Sequence, residues 1–337
     1  MTEQLKLKLN DSKATRWGAL VIVAFTMMAA YYVNDVVAPL KTMLETDLAW
    51  SSTDFGFFTG GYSFLNVFFL MLIWGGLILD RFGIRFTGKL ATILMVGGTA
   101  LEYYAMTGLA GADATLFGIN EIFGYKTGVF VAFAGYSIFG VGAEVAGITV
   151  SKIIAKWFKG KELATAMGVQ VALARIGSQA GYAVAIPLAR AFGISTPVLL
   201  GLVLLLGGMI AFFIFAVMDK KLDKQMEAAA IAAGTEDEEE KFSFKDVKNI
   251  LVNPGFWLIA LLCVLFYSCV FPFQKFASEL MIIKYGINEN VAGTFAGLPA
   301  LGALILTPVF GGFIDKRGKS ASIMLLGSAM PVSYTHL

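Results

Sequence analysis

GGLILDRFG at residues 75–83 returns as GGFIDKRG at residues 311–318, each copy between two apolar stretches. In both, a glycine stands four residues before an aspartate, a basic residue follows the aspartate directly, and a second glycine lies three residues after it. Asp80 and Asp315 are roughly 235 positions apart, and a repeat of that period across a series of membrane-length segments marks a duplicated half of a membrane protein. That architecture belongs to carriers.

Composition excludes most other classes. With 57% hydrophobic and 15% charged residues and a mean hydropathy of +0.74, a water-soluble domain would have more apolar surface than one core can bury. The net charge of +2 is small and the basic residues are dispersed, so nothing points to nucleic acid. Cys263 and Cys269 are the two cysteines, six apart in one apolar stretch, where a helix turns them to different sides. They are expected to be small buried residues and make neither a disulfide framework nor a metal site; no cofactor is implied.

Apolar runs of about 20 residues, the length that crosses about 30 Å of hydrocarbon, predict eight spans: Trp17–Leu40, Thr53–Leu79, Phe86–Leu109, Gly128–Ile153, Ala164–Ala189, Pro197–Met218, Phe256–Glu279 and Val291–Ile314. A ninth begins near Ser320. The first span is too long for a signal-peptide core and lacks a small-residue cleavage site, so it is expected in the mature protein. With the N-terminus inside, twenty Lys/Arg fall in cytoplasmic segments, Arg175 lies within a span, and Lys41, Lys126, Arg190, Lys275 and Lys284 fall on the other side. Both copies of the repeated phrase then face the cytoplasm, so the halves are parallel repeats.

Residues 1–218 are thus predicted as an N-terminal six-helix bundle, 219–253 as a solvated cytoplasmic linker with a short surface helix and the acidic run EDEEE at 236–240, and 254–330 as a partial second bundle. A second half mirroring the first would continue for about 138 residues beyond Asp315, so the all-α fold is expected here truncated after about eight of twelve transmembrane helices. The closing PVSYTHL, residues 331–337, is read as a non-native tail that carries the single histidine, His336.

In the repeated phrase, glycines let helices and their tight loop approach closely, and the aspartate can face a helix N-terminus or a basic partner on the opposite half. Gly76, Asp80, Arg81, Gly83 and Arg85, with Asp315, Lys316 and Gly318, are therefore candidate gating residues; loop charges that merely obey the positive-inside rule are the alternative. GIRFTGKL at 83–90 looks like a phosphate loop but lacks its final Ser or Thr and lies between two spans, which argues against nucleotide binding.

Two charges lie deep. Glu144, in GVGAEVAG, and Arg175, in ALARIGS, sit about 12 and 18 Å from the cytoplasmic edge at 1.5 Å per residue, on consecutive antiparallel helices. An ionisable group at that depth costs about 2.5–3.5 kcal/mol on insertion scales unless it pairs or lines a wet cavity. An acid and a base around one cavity suit a zwitterion, the carboxylate taking an ammonium and the guanidinium clamping a carboxylate; a structural Glu–Arg pair is the alternative. Asp35, in YYVND, is a third acid, shallower, a vestibule residue or a substrate contact. Tyr32, Tyr62 and Asn66 are candidates to line the path, or amphipathic boundary residues. Pro272, in VFPFQK, is expected to break the seventh span.

YYVND, GYSFLN before GGLILDRFGIR, GAE followed by KWFKGKELATAMG, LARIGS, VFPF and TPVFGGFIDKRGK together resemble the major facilitator superfamily, and within it a branch of lysosomal dipeptide carriers. The likeness runs from about Tyr31 to Lys319 and is most specific from Glu144 to Ser178. It implies movement of dipeptides by alternating access, with Glu144 receiving the amino terminus and Arg175 the carboxylate, and it places Phe271 with the substrate-binding set. The implied partners are a small zwitterionic solute, the lipid bilayer and an accessory membrane subunit. No acidic dileucine signal is present, so the cell membrane of a microbe is the expected location, or the lysosomal membrane if the source is eukaryotic. The chain is not expected to be an enzyme. A proton-coupled symporter of organic anions, with Arg175 on the anion and Glu144 on the proton, is the first rival; a non-transporting membrane scaffold is the second.

Overall fold

Helix starts are marked by caps that the sequence supplies locally. The Ser12 hydroxyl accepts from the Thr15 amide at 3.4 Å, satisfying one of the donors that a helix start leaves free, and α1 runs Lys13–Val36. Ser51 and Asp54 form a reciprocal capping box at the head of α3, Ser52–Phe68. Asn253 caps the helix that begins with Pro254, its side chain accepting from the Gly255 amide at 2.9 Å. The structure is a computed structural model that describes residues 8–111, 114–233 and 251–317.

After α1, a 3-10 turn Ala38–Leu40 and a short helix α2, Lys41–Asp47, cross the outer side. Then follow α3, α4 (Met71–Thr107), a two-stranded hairpin of Glu121–Ile122 and Tyr125–Lys126, α5 (Thr127–Trp157), α6 (Leu163–Phe192) and α7 (Thr196–Ala233). Helices α8 (Pro254–Tyr285) and α9 (Glu289–Arg317) close the described chain. The hairpin fills the long outer loop and is tied down where Lys126 donates to the Ala49 carbonyl.

Predicted spans two and three share helices in an unexpected way. The second is broken at Leu70, whose φ of 50° is left-handed, and α3 meets α4 at 58°. The third begins inside α4, at Gly83, whose φ of 76° and ψ of 173° are open essentially to glycine alone. Contacts with α5 prove the reversal there. Gly75 lies on Val145 and Asp80 on Lys152, so the chain runs along α5; beyond Gly83, Gly142 meets Ala91, Gly135 meets Gly98 and Gly128 meets Ala105, so it runs back.

Five helices meet a length-and-hydropathy test for a membrane span, six if the bent α3–α4 pair is one. The turn at Gly83 makes a seventh. The eighth is α6, whose hydropathy Gln170, Arg175, Ser178 and Gln179 dilute and which packs between α1 and α9. Close approach rests on small residues: a methyl at Gly98 would stand 2.5 Å from the Gly135 carbonyl oxygen. In lipid, where burying apolar surface between helices brings little, such contact is the main source of cohesion.

Three expectations are corrected. Helix α7 continues past the membrane to Ala233, so the first part of the predicted linker is a rigid extension, and its Asp219 is 0% exposed rather than solvated. Helix α8 runs unbroken through Pro272, because proline removes one hydrogen bond, to the Ser268 carbonyl, and the turns on either side keep theirs. Cys263 and Cys269 are exposed, since no described helix covers that stretch of α8. The EDEEE run, Gly318 and the closing PVSYTHL lie outside the described residues.

Gly83 and Gly76 make contrasting predictions. Gly83→Ala forces a Cβ into a backbone conformation that costs about 1–3 kcal/mol, and the expected result is a lower thermal midpoint in detergent. Gly76 is helical and nothing lies within 4 Å of a Cβ built on it, so Gly76→Ala leaves the midpoint unchanged or slightly raised. Equal midpoints for the two variants would refute the turn.

Candidate functional site

Glu144 owes its position to glycines on its own helix. Gly140 lies against the Tyr62 carbonyl and Gly142 within 2.7 Å, by a built Cβ, of the Ala91 carbonyl oxygen, which beds α5 between α3 and α4. The half-buried carboxylate then accepts from the Tyr62 hydroxyl at 2.8 Å. Across α1, Gly177 sits against the Met28 carbonyl and draws α6 in. Arg175, one turn before Ser178, is half-buried with its guanidinium carbon 5.6 Å from the centre of the Tyr31 ring, a cation–π contact. Its Nε is buried without a hydrogen-bond partner, as are Ser178 Oγ, Gln179 Oε1 and Asn66 Oδ1.

No ion pair joins Glu144 to Arg175 among the described residues. Tyr31 stands within electrostatic reach of both charges, of Asp35 and of Tyr267. The arrangement is thus an acid and a base held apart on neighbouring helices, each with unused hydrogen-bonding capacity.

The other predicted lining residues divide. Asn66 is one turn from Tyr62, its amide donating to the Tyr62 carbonyl at 3.0 Å. Phe271 stacks on Tyr267 with ring centres 4.9 Å apart, which brings it toward the Tyr31 side. Tyr32 is turned away: it is buried, and its hydroxyl donates to the Pro197 carbonyl at 3.2 Å at the head of α7. Tyr31 takes the place expected for it, because successive helical residues point about 100° apart.

Toward the outer side lies a polar group that crosses between the two halves. Lys275 of α8 donates to the Asn34 carbonyl at 2.6 Å and to the Tyr136 hydroxyl at 3.1 Å, and is 3.9 Å from Asp35. The Tyr136 hydroxyl donates to the Asn34 carbonyl at 2.8 Å, and the Asn34 amide to Asp35 at 2.9 Å. Lys275 is therefore an interior residue rather than the outer loop charge that the sequence count makes it. Glu102 of α4, which sequence reasoning passed over, is 0% exposed and neither carboxyl oxygen has a partner among the described residues. Its location inside a predicted span was the available signal.

Farther out, Lys41 is 2% exposed and donates to Glu45 at 2.8 Å, to the Ser52 hydroxyl at 2.8 Å and to Glu279 of α8 at 2.5 Å. Arg190 of α6 pairs with Glu289 of α9 and donates to Asn290 at 3.0 Å. At the cytoplasmic end the described ion pairs lie within the first half. Asp80 pairs with Lys152 at 2.8 Å; Arg85 reaches Asp223, and Asp219 at 3.5 Å; Lys156 bonds the same two aspartates. Arg81 lies over the Phe82 ring. Hydrogen bonds from Arg16 and Lys161 hold the Glu162 and Asp11 carboxyls below the usual carboxylate range. Among the described residues, the basic partner of Asp80 is Lys152, on its own half. The side chains of Asp315 and Lys316, with Gly318, lie outside the described residues.

Residues 17–334 match the family model described as Major Facilitator Superfamily. The lysosomal dipeptide transporter MFSD1 of Homo sapiens is 27% identical over 321 residues, covering 91% of this chain and 63% of that protein. Its counterpart in Pongo abelii is 27% identical over 315 residues, 89% of this chain and 61% of that protein. The chain thus spans less than two thirds of the length of these relatives. Among solved structures, the xylose transporter XylE from E. coli in a partially occluded inward-open conformation superposes with a TM-score of 0.60 at 15% identity, over 91% of this chain and 74% of that one. A D-xylose–proton symporter superposes with a TM-score of 0.57 at 16% identity, over 89% and 69%. At such identity the likeness is one of fold.

Among the described residues, every ion pair between the two halves lies on the outer side, so removing one tests whether these pairs hold that side shut. Lys41→Met removes a cation that serves two carboxylates, and a charge-assisted hydrogen bond contributes roughly 1.5–3 kcal/mol. The expected outcome is a rise of about tenfold or more in the population open to the outside, read by double electron–electron resonance between labels at Asp47 and Ile283. An unchanged distance distribution would count against these contacts as a closure.

Proposed function

The chain belongs to the Major Facilitator Superfamily, a family of membrane transporters rather than enzymes, and on that premise we propose that this multi-pass membrane protein carries small zwitterionic solutes, above all dipeptides, by alternating access. The observation that carries the reading is the separated pair. Glu144 on α5 and Arg175 on α6 form no ion pair with each other among the described residues, and Tyr31 lies against Arg175 within electrostatic reach of Glu144. Two relatives that are named as dipeptide transporters support the same class of cargo.

In this reading the dipeptide ammonium replaces part of the Tyr62 bond on Glu144, and its carboxylate takes the unused donors of Arg175 in bidentate fashion. Each bare charge is expensive in hydrocarbon, so the loaded site is more readily buried than the empty one. Binding therefore favours rocking of the halves about the cargo. Opening to the outside requires Lys41 to leave Glu279, Arg190 to leave Glu289 and Lys275 to leave Asn34. The repeated cytoplasmic phrases, with Asp80 and Asp315, would engage as the other side closes. We place the carrier in the cell membrane of a microbe, with the lysosomal membrane as the alternative that its named relatives favour.

The test is counterflow of labelled dialanine in proteoliposomes holding the full-length carrier. Glu144→Gln and Arg175→Ala each remove a charge-assisted contact, and each is expected to lower exchange by about tenfold to a hundredfold. An N-acetylated dipeptide, which lacks the ammonium, is expected not to compete. Wild-type exchange by either variant, with normal insertion, would overturn the site.

A further inference from the structure

Glu102 has no part in the substrate site, and its setting leaves a charge to be balanced. It lies near the outer end of α4, fully buried, with both carboxyl oxygens unpartnered among the described residues. Thr99, one turn away on the same face, is also buried with its hydroxyl unpartnered. The groups that face this region come from α5, α1 and α8, and α3 brings Tyr62 beside Tyr136. Helix α5 supplies Tyr136, whose hydroxyl is committed to Asn34. Helix α1 supplies Asp35, and α8 supplies Lys275, the cation within electrostatic reach of Glu102. Helix α7 supplies none, its stretch 197–218 being free of charged residues.

One ammonium therefore serves two buried carboxyls. With Asp35 and Glu102 both ionised, the cluster carries a net negative charge in a dry interior, which burial strongly disfavours. Neutrality is reached when one of the two holds a proton. Asp35 lies 3.9 Å from the ammonium and accepts from the Asn34 amide, while Glu102 has neither contact. The proton therefore belongs on Glu102. The cation, moreover, sits on the other half of the molecule: α8 moves with the second bundle, so opening the outer side carries Lys275 away and lets water reach the carboxyl.

We propose that Glu102 is the proton-binding site of the carrier, protonated when the outer side is closed and exchanging with the external solution when Lys275 withdraws. The inference deepens the carrier reading by naming a pH sensor of its outer gate: the proton enters and leaves on the same side, so it sets the gate and is not itself carried across. It assigns the proton to Glu102 and leaves Glu144 free for the cargo. Because the proton is bound in the closed state, outer closure is favoured at low pH and opening at high pH.

A first measurement needs no cargo. Electron–electron resonance with labels at Asp47 and Ile283 follows the outer side of the full-length carrier from about pH 5 to pH 9. The closed population is expected to fall as pH rises, by up to about tenfold per pH unit for one linked proton. Glu102→Gln, or Glu102→Leu if the first fails to insert, is expected to keep the outer side closed throughout. A flat wild-type response, or a variant that titrates like the wild type, overturns the proposal. In a second measurement, counterflow of labelled dialanine by the wild type is expected to change with external pH, and that by the Glu102 variant to be independent of it. A pH-dependent gate with no movement of dialanine refutes the dipeptide reading and upholds the proton site; movement of dialanine indifferent to external pH does the reverse.

Discussion

A charged group inside hydrocarbon must be paired, neutralised or reached by water, and this chain meets that requirement in all three ways at three depths. At the outer end, Lys41 is paired, enclosed by Glu45, Ser52 and Glu279. Below it, the charge count around Lys275 balances when Glu102 is neutral. Near the middle, Glu144 and Arg175 are left with free capacity, which only water or cargo can fill. The same free-energy penalty underlies the proposed closure at the first and the proposed binding site at the last.

The two ends of the molecule differ in how they use charge. Outer ion pairs cross between halves: Lys41 to Glu279, Arg190 to Glu289, Lys275 toward Asp35. Described cytoplasmic pairs stay within one half: Asp80 to Lys152, and Arg85 and Lys156 to the two aspartates at the end of α7. A crossing pair must break when the halves rock, whereas an internal pair stiffens the piece that rocks. That asymmetry agrees with a molecule closed on the outside. The extension of α7 to Ala233 adds a rigid arm whose buried Asp219 also accepts from Trp157 at 3.0 Å.

Much of this was legible in the residues. The repeat around Asp80 and Asp315 pointed to two parallel halves, and apolar run lengths located the helices to within a turn or two at each end, except that α7 runs on to Ala233. Gly83 was marked by its place in the repeat, and Glu144 and Arg175 by their depth. Other features were hidden by the limits of the same rules. Hydropathy does not register a break such as Leu70, because its left-handed backbone leaves composition unchanged. Counting Lys275 as a loop charge assumed that a cation near a helix end meets water, and here α1 and α5 cover it. Proline at 272 was expected to break a helix that carries it through.

By itself the sequence determined the membrane class and pointed to the sidedness, the duplication and the deep placement of Glu144 and Arg175, because hydropathy, charge bias and 1.5 Å of rise per residue are local or additive properties. Partners were decided only by tertiary structure. Whether Tyr31 or Tyr32 faces Arg175, whether Asp80 meets its own half or the other, and whether Glu102 is dry all depend on helix rotation and on neighbours distant in the chain. A rotation of about 100° separates adjacent residues on a helix, and no pattern within one span specifies which of its faces another helix will cover.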